Sequence, residues 1–132
     1  MPSIFSRIIS GEIPSHKVAE NEDYLAFLDI NPLVEGHTLV IPKKEVDYIF
    51  DLDDDTLSGL SVFAKKVARG IEKVVPCERI GMTVIGLEVP HAHVHLIPIN
   101  GINDMYFGNQ KLAFSQEELA ATAEKIRSEI KL

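Results

Sequence analysis

Apolar residues recur along this chain with two different periods, and the switches between them mark its elements. Ile4, Phe5, Ile8 and Ile9 follow helical spacing after Ser3, a residue type that caps helices, and Gly11 supplies a stop. Two short extended runs come next, Lys17–Ala19 and Tyr24–Leu28, with Asn21-Glu22-Asp23 reading as the turn of a hairpin. Asn31-Pro32 breaks the chain, and Gly36 precedes a third strand, His37–Ile41, which Pro42 ends. From about Asp53 to Val75 the period becomes helical: Leu57, Leu60, Phe63, Val67, Ile71 and Val74 share one face, and Pro76 closes the run. Two further strands are expected over Arg79–Ile85 and His91–Pro98. Ser115-Gln116-Glu117-Glu118 is a capping box opening a last helix, Ser115–Ile130. Strands in adjacent short hops, with one long helix between the third and fourth, predict an α+β fold. Its antiparallel sheet would have about five strands, flanked by a short N-terminal and a C-terminal helix.

Composition narrows the class. The chain has 132 residues, 45% of them hydrophobic and 25% charged, which suits one compact domain with a real core. No apolar stretch approaches the roughly 20 residues that a membrane span needs, so no membrane partner is expected. The N-terminus shows no basic region followed by an apolar one, and a cytoplasmic location is the default expectation. A single cysteine, Cys77, excludes an internal disulfide. The net charge of −7 disfavours a nucleic-acid partner but leaves room for a mononucleotide held by a few local donors. The acidic run Asp51, Asp53, Asp54 and Asp55 reads as a solvated helix start.

Chemistry concentrates in the histidines. Three of the five stand in His91-Ala92-His93-Val94-His95, where strand alternation would put all three imidazoles on one face, successive pairs about 7 Å apart. Ala92, Val94 and Leu96 would take the other face, against the long helix. Three alternating imidazoles are a poor packing solution, because each brings polar nitrogens that need partners. Two chemistries fit: a metal site completed by His37, or covalent catalysis in which one imidazole attacks phosphorus while its neighbours hold phosphate charge. Spacing does not choose between them.

The string His91 to Ile97 resembles the signature of the histidine triad superfamily, in which histidine alternates with hydrophobic residues. Ile4–Pro14 resembles the opening helix of its Hint branch. Phe27-Leu28-Asp29-Ile30-Asn31-Pro32, followed by Gly36-His37-Thr38-Leu39-Val40-Ile41-Pro42-Lys43-Lys44, resembles a second block. The resemblance runs over residues 4–98, within a single domain of residues 1–132 that carries a C-terminal extension over 99–132. It implies a hydrolase or transferase that cleaves at the α-phosphate of a purine nucleoside phosphoramidate or phosphoanhydride, through a nucleotidyl-histidine intermediate. By the same resemblance His93 is the nucleophile, and His95 hydrogen-bonds the phosphate. His91 offers its backbone carbonyl to the nucleophile's Nδ1–H, and His37 supports the triad from a neighbouring strand. Asp29 would pair with ribose hydroxyls, and Ile4, Phe5, Ile8, Ile13, Phe27, Ile30 and Leu39 would form the apolar slot for the base. Backbone N–H groups near Glu88 and Val89 would face phosphate oxygens. The resemblance also implies a homodimer with joined sheets. No cofactor or metal is expected, and the Cys and His ligands of the zinc found in some bacterial members are not evident. Two features depart from the pattern: the segment Thr83–Pro90 is short, and Leu87 stands where glutamine is common. Two other functions stay open: a nucleotide-binding or interaction module with little turnover, favoured by Leu87 and the short loop, and a metal-dependent hydrolase using His37 with two triad histidines.

Overall fold

In the computed structural model, which describes residues 2–132, the short helix α1 (Ile4–Ile9) leads into a five-stranded antiparallel sheet. The strands are β1 (Lys17–Glu20), β2 (Tyr24–Leu28), β3 (Thr38–Pro42), β4 (Arg79–Thr83) and β5 (Val94–Ile99), in the order β1-β2-β3-β5-β4. The long helix α2 (Asp54–Val74) runs between β3 and β4, and α3 (Gln116–Ser128) follows β5. Two 3-10 turns, Ile49–Asp51 and Ile102–Met105, were not signalled by the sequence pattern.

Local chemistry explains the boundaries. Asn21 closes the first hairpin, its Oδ1 accepting from the N–H groups of Asp23 and Tyr24. Asp53 caps α2 by accepting from the Thr56 N–H at 2.7 Å, with Asp54 and Asp55 in the first turn, so the acidic run does serve a helix start. Gly36 enters β3 with φ +88°, and a Cβ there would stand 2.8 Å from Val75 Cγ2. Only glycine meets both demands.

The sheet separates two apolar layers. On one face Ala26, Leu28, Val40, Ala92, Val94 and Leu96 pack against Leu60, Phe63, Val67 and Ile71 of α2 and Leu119, Ala123 and Ile126 of α3. Each fully buried Leu or Ile there contributes about 1.5–3 kcal/mol. The alternate residues Leu25, Phe27, Leu39 and Ile41 point the other way and pack against Phe5 and Ile8 of α1. That second face carries the histidines.

Two strand expectations need correction. β5 begins at Val94 rather than His91, and β4 ends at Thr83 rather than Ile85. Pro90 has no N–H to donate, the His91 N–H turns back to Val89 O, and the Ala92 N–H goes to Val46 O at 2.7 Å. These groups are turned away from a ladder at 90–92, and β4, whose last pair is Thr83 with His95, loses its partner at the same level. The last helix is likewise shorter than Ser115–Ile130, although its capping box at Ser115 and Glu118 is present.

Candidate functional site

A period of two builds the site. Phe27 pairs with Leu39, Leu39 with His95, and His95 with Thr83, a row running across four strands on one face. Two residues beyond Phe27 lies Asp29, and two before Leu39 lies His37; the Asp29 N–H donates to His37 O at 3.0 Å and keeps them side by side. His93 precedes His95 by two. Asp29, His37, His93 and His95 therefore converge on a cleft of about 260 Å³, closed on its other sides by Ile85–Glu88, Phe107 and Lys111. A larger surface hollow of about 400 Å³, between Lys65, Arg69 and Arg79, contains none of the histidines.

Main-chain groups fix the proton positions on His37, His93 and His91, and His37 in turn fixes that on His95. The Leu33 N–H donates to His37 Nδ1 at 3.0 Å, so the proton of neutral His37 sits on Nε2. That Nε2–H donates to His95 Nδ1 at 3.0 Å, which places the His95 proton on Nε2. His93 Nδ1–H donates to His91 O at 2.8 Å, leaving Nε2 with a lone pair. His91 Nε2–H donates to Pro42 O at 2.8 Å, so its Nδ1 accepts from the Ser3 hydroxyl, also at 2.8 Å. Among the described residues His93 Nε2 and His95 Nε2 have no hydrogen-bond partner, yet neither is a sealed buried atom; both open to the cleft.

Burial keeps the His37 and His95 rings neutral. It pushes His37 down to about 3, with His95 and then Lys111 adding to the effect, and His95 down to about 4, with His93 adding. Burial lowers His91 as well, and it raises the Asp29 carboxyl against the hydrogen bond from the Asn31 N–H. The aromatic surroundings are edge-on: Phe5 lies 5.0 Å from His93, and Phe107 lies 4.8 Å from His95.

The cleft thus presents a lone pair at His93 Nε2 beside an N–H donor at His95 Nε2. Such a pair can attack an electrophilic centre and hold an anionic oxygen attached to it. It is poorly built for a metal. Asp29, His37 and His95 bring donor atoms within 4.8 Å of one another. A cation on His37 Nε2 would displace the ring proton towards Nδ1, where the Leu33 N–H already points.

Several sequence expectations meet this geometry unevenly. His91 does not line the cleft with the others; its ring is buried against Ser3 and Pro42, and only its carbonyl faces His93. The ring centres of His93 and His95 stand 5.0 Å apart, nearer than the spacing expected along a flat strand. Phe5, Ile8, Phe27 and Leu39 form one apolar cluster, with Ile13 and Val89 packed on it, whereas Ile4 and Ile30 are 48% and 62% exposed and outside it. Glu88 lines the cleft. Phe107, Lys111, Ser3 in its contact with His91, and Glu45 were not singled out from the sequence. Ser3 was legible only as a helix cap, and the segment after β5 carries no motif.

Residues 10–101 match the profile of the HIT domain. The chain belongs to the HIT family. Among HIT relatives, the adenosine 5′-monophosphoramidase of Schizosaccharomyces pombe is 37% identical over 99% of this chain and 100% of its own. Protein hit of Bacillus subtilis is 40% identical over 76% of this chain and 73% of its own. A crystal structure of a HIT-like protein from Bartonella henselae superposes with a TM-score of 0.83 at 34% identity, covering 97% of this chain and 96% of that one. These HIT relatives support nucleotide hydrolysis as the general activity of the chain, and the α+β architecture is that of the HIT fold.

Proposed function

We propose that this HIT protein hydrolyses a purine nucleoside phosphoramidate, or a related phosphoanhydride, through a covalent intermediate on His93. The observation that carries the reading is the bond from His93 Nδ1–H to His91 O, which leaves the Nε2 lone pair open to the cleft. The relative named for phosphoramidase activity supports the substrate class.

In the first step Nε2 attacks the α-phosphorus, an N–P bond forms, and the bond from phosphorus to the leaving nitrogen breaks. The leaving amine takes up a proton from water. The His95 Nε2–H donates to a phosphate oxygen throughout, and because that ring stays neutral it acts as a dipole donor rather than a charge. Positive charge on the nucleotidylated His93 ring is stabilised by the His91 carbonyl. Water then attacks phosphorus, the N–P bond breaks, and a nucleoside monophosphate leaves with one proton released. Asp29 would accept from ribose hydroxyls at the cleft edge, and Phe5, Ile8, Phe27 and Leu39 would flank the base, with Ile4, Ile13 and Ile30 at its margin. The N–H groups of Glu88 and Val89 would face phosphate.

Mass spectrometry of the protein mixed with such a phosphoramidate tests this directly. An adduct of nucleotidyl mass on His93 is expected, with turnover that survives prolonged EDTA treatment. His93→Ala should bind a nucleoside monophosphate within about a few-fold of wild type while turnover falls by at least about a thousandfold. Turnover by His93→Ala at the unmutated rate refutes the mechanism. Nucleotide binding by the unmutated chain without adduct or turnover favours the binding module that exposed Leu87 suggests.

No described helix is long and apolar enough to cross a membrane, which suits the cytoplasmic location we propose. The same reading includes a homodimer within this one-domain chain. β1 is covered at its edge by the Arg127 bond to Lys17 O, whereas β4 has only β5 beside it, with Met82 and Ile85 exposed nearby. Two copies joined along β4 would remove that open edge.

A further inference from the structure

We infer that Ser3, held in place by Glu45, is a positioning residue for the nucleophile, acting through His91. The inference rests on the covalent reading of His93 given above. Its starting point is the missing ladder: His91, Ala92 and His93 precede β5, so no strand pairing fixes the carbonyl that orients His93. The carbonyl is fixed by the ring of its own residue instead. His91 is fully buried and pinned at both nitrogens, by Pro42 O at the end of β3 and by the Ser3 hydroxyl at the head of α1.

Ser3 is itself fully committed. Its Oγ accepts the Ser6 N–H at 3.0 Å while its proton goes to His91, and its N–H donates to Glu45 Oε1 at 2.6 Å. The same carboxylate oxygen accepts from the Ser6 hydroxyl at 2.6 Å. These bonds hold the Glu45 carboxyl well below its usual range, at about 2, so it remains an anion and an acceptor at any working pH. An ordinary N-cap needs only the acceptor role of the serine oxygen. Donation to a buried imidazole 88 positions away, beside the triad, is a second task that capping does not require. Without the Ser3 proton, His91 Nδ1 is a buried acceptor with no partner, and the ring is free to exchange its proton between nitrogens and release Pro42. The carbonyl facing His93 then loses its anchor, and a misdirected nucleophile costs rate rather than affinity.

The test compares Ser3→Gly with Ser3→Thr in the full chain. Glycine is nearly as good an N-cap as serine but has no hydroxyl, and threonine restores one. Ser3→Gly should lower kcat for a purine nucleoside phosphoramidate by about tenfold with KM within about twofold, and Ser3→Thr should recover most of it. Long-range ¹H–¹⁵N correlation on histidine-labelled protein should show His91 as the pure Nε2–H tautomer in the unmutated chain, and as a mixture in Ser3→Gly. Glu45→Ala should move both readouts in the same direction. A rise in KM with kcat unchanged would mean that α1 only shapes the slot, and it overturns the inference. So does an unaltered His91 tautomer in Ser3→Gly. If the unmutated chain turns nothing over, the covalent reading fails by itself, and the tautomer of His91 still decides whether Ser3 sets it.

Discussion

His37 donates its Nε2–H to Nδ1 of His95 across 3.0 Å, although 58 positions separate them in the chain. Since the Leu33 N–H has already chosen the His37 tautomer, the direction of this bond is settled, and His95 must present N–H to the cleft. The first prediction follows from that polarity. His37→Ala removes the donor, and His95 then divides its proton between both nitrogens. Turnover of the phosphoramidate should fall by about ten- to a hundredfold, with weaker binding of the monophosphate. Steady-state kinetics and calorimetry check it; wild-type values for both would show that His95 needs no partner.

Folding stability should depend on pH through the same pair. In the unfolded chain both rings titrate near 6.5, whereas in the fold they are held down to about 3 and about 4 by burial first of all. Between those values the unfolded chain binds more protons. The stability is therefore fully present above about pH 6.5 and declines as pH falls towards 4, by on the order of 1 kcal/mol per pH unit for each ring. Denaturant midpoints should be nearly level above about pH 6.5 and fall steadily from there to about pH 5. In His37→Asn, whose amide oxygen can still accept from Leu33, the slope should be shallower. An unchanged slope would assign the pH dependence elsewhere.

Asp29 supplies a third prediction. Its Oδ1 accepts the Asn31 N–H at 2.9 Å, as any turn aspartate could, while the carboxylate also lines the cleft. Asp29→Ala should weaken ribonucleotide binding by about tenfold and leave the 2′,3′-dideoxy analogue much less affected. Equal losses for the two ligands would reduce Asp29 to a turn residue.

Much of this arrangement is written in alternation. Phe27 and Asp29, His37 and Leu39, and His93 and His95 each stand two apart, and that spacing alone puts them on one face once the strands pair. Helical spacing from Leu57 to Val74 made α2 equally legible, because an apolar stripe and a proline stop are local signals. His91 was misplaced because Pro90 and two diverted N–H groups end the ladder early, which alternation does not report. Phe107 and Lys111 reach the cleft through a long connection after β5, where no periodicity links a residue to its destination. Ser3 shows a different limit. A cap is recognisable from four consecutive residues, but its second partner, His91, is set by tertiary structure.

The proton arrangement of the four imidazoles is dictated by main-chain atoms of Leu33, Pro42 and His91, together with one serine hydroxyl, and all of these lie outside the segments that face a bound molecule. The stretch 85–88, with Phe107 and Lys111, lines the cleft without taking part in that arrangement. Residues 85–88, Phe107 and Lys111 can be randomised to change which compound enters, in a library whose members all inherit the same reactive nitrogen.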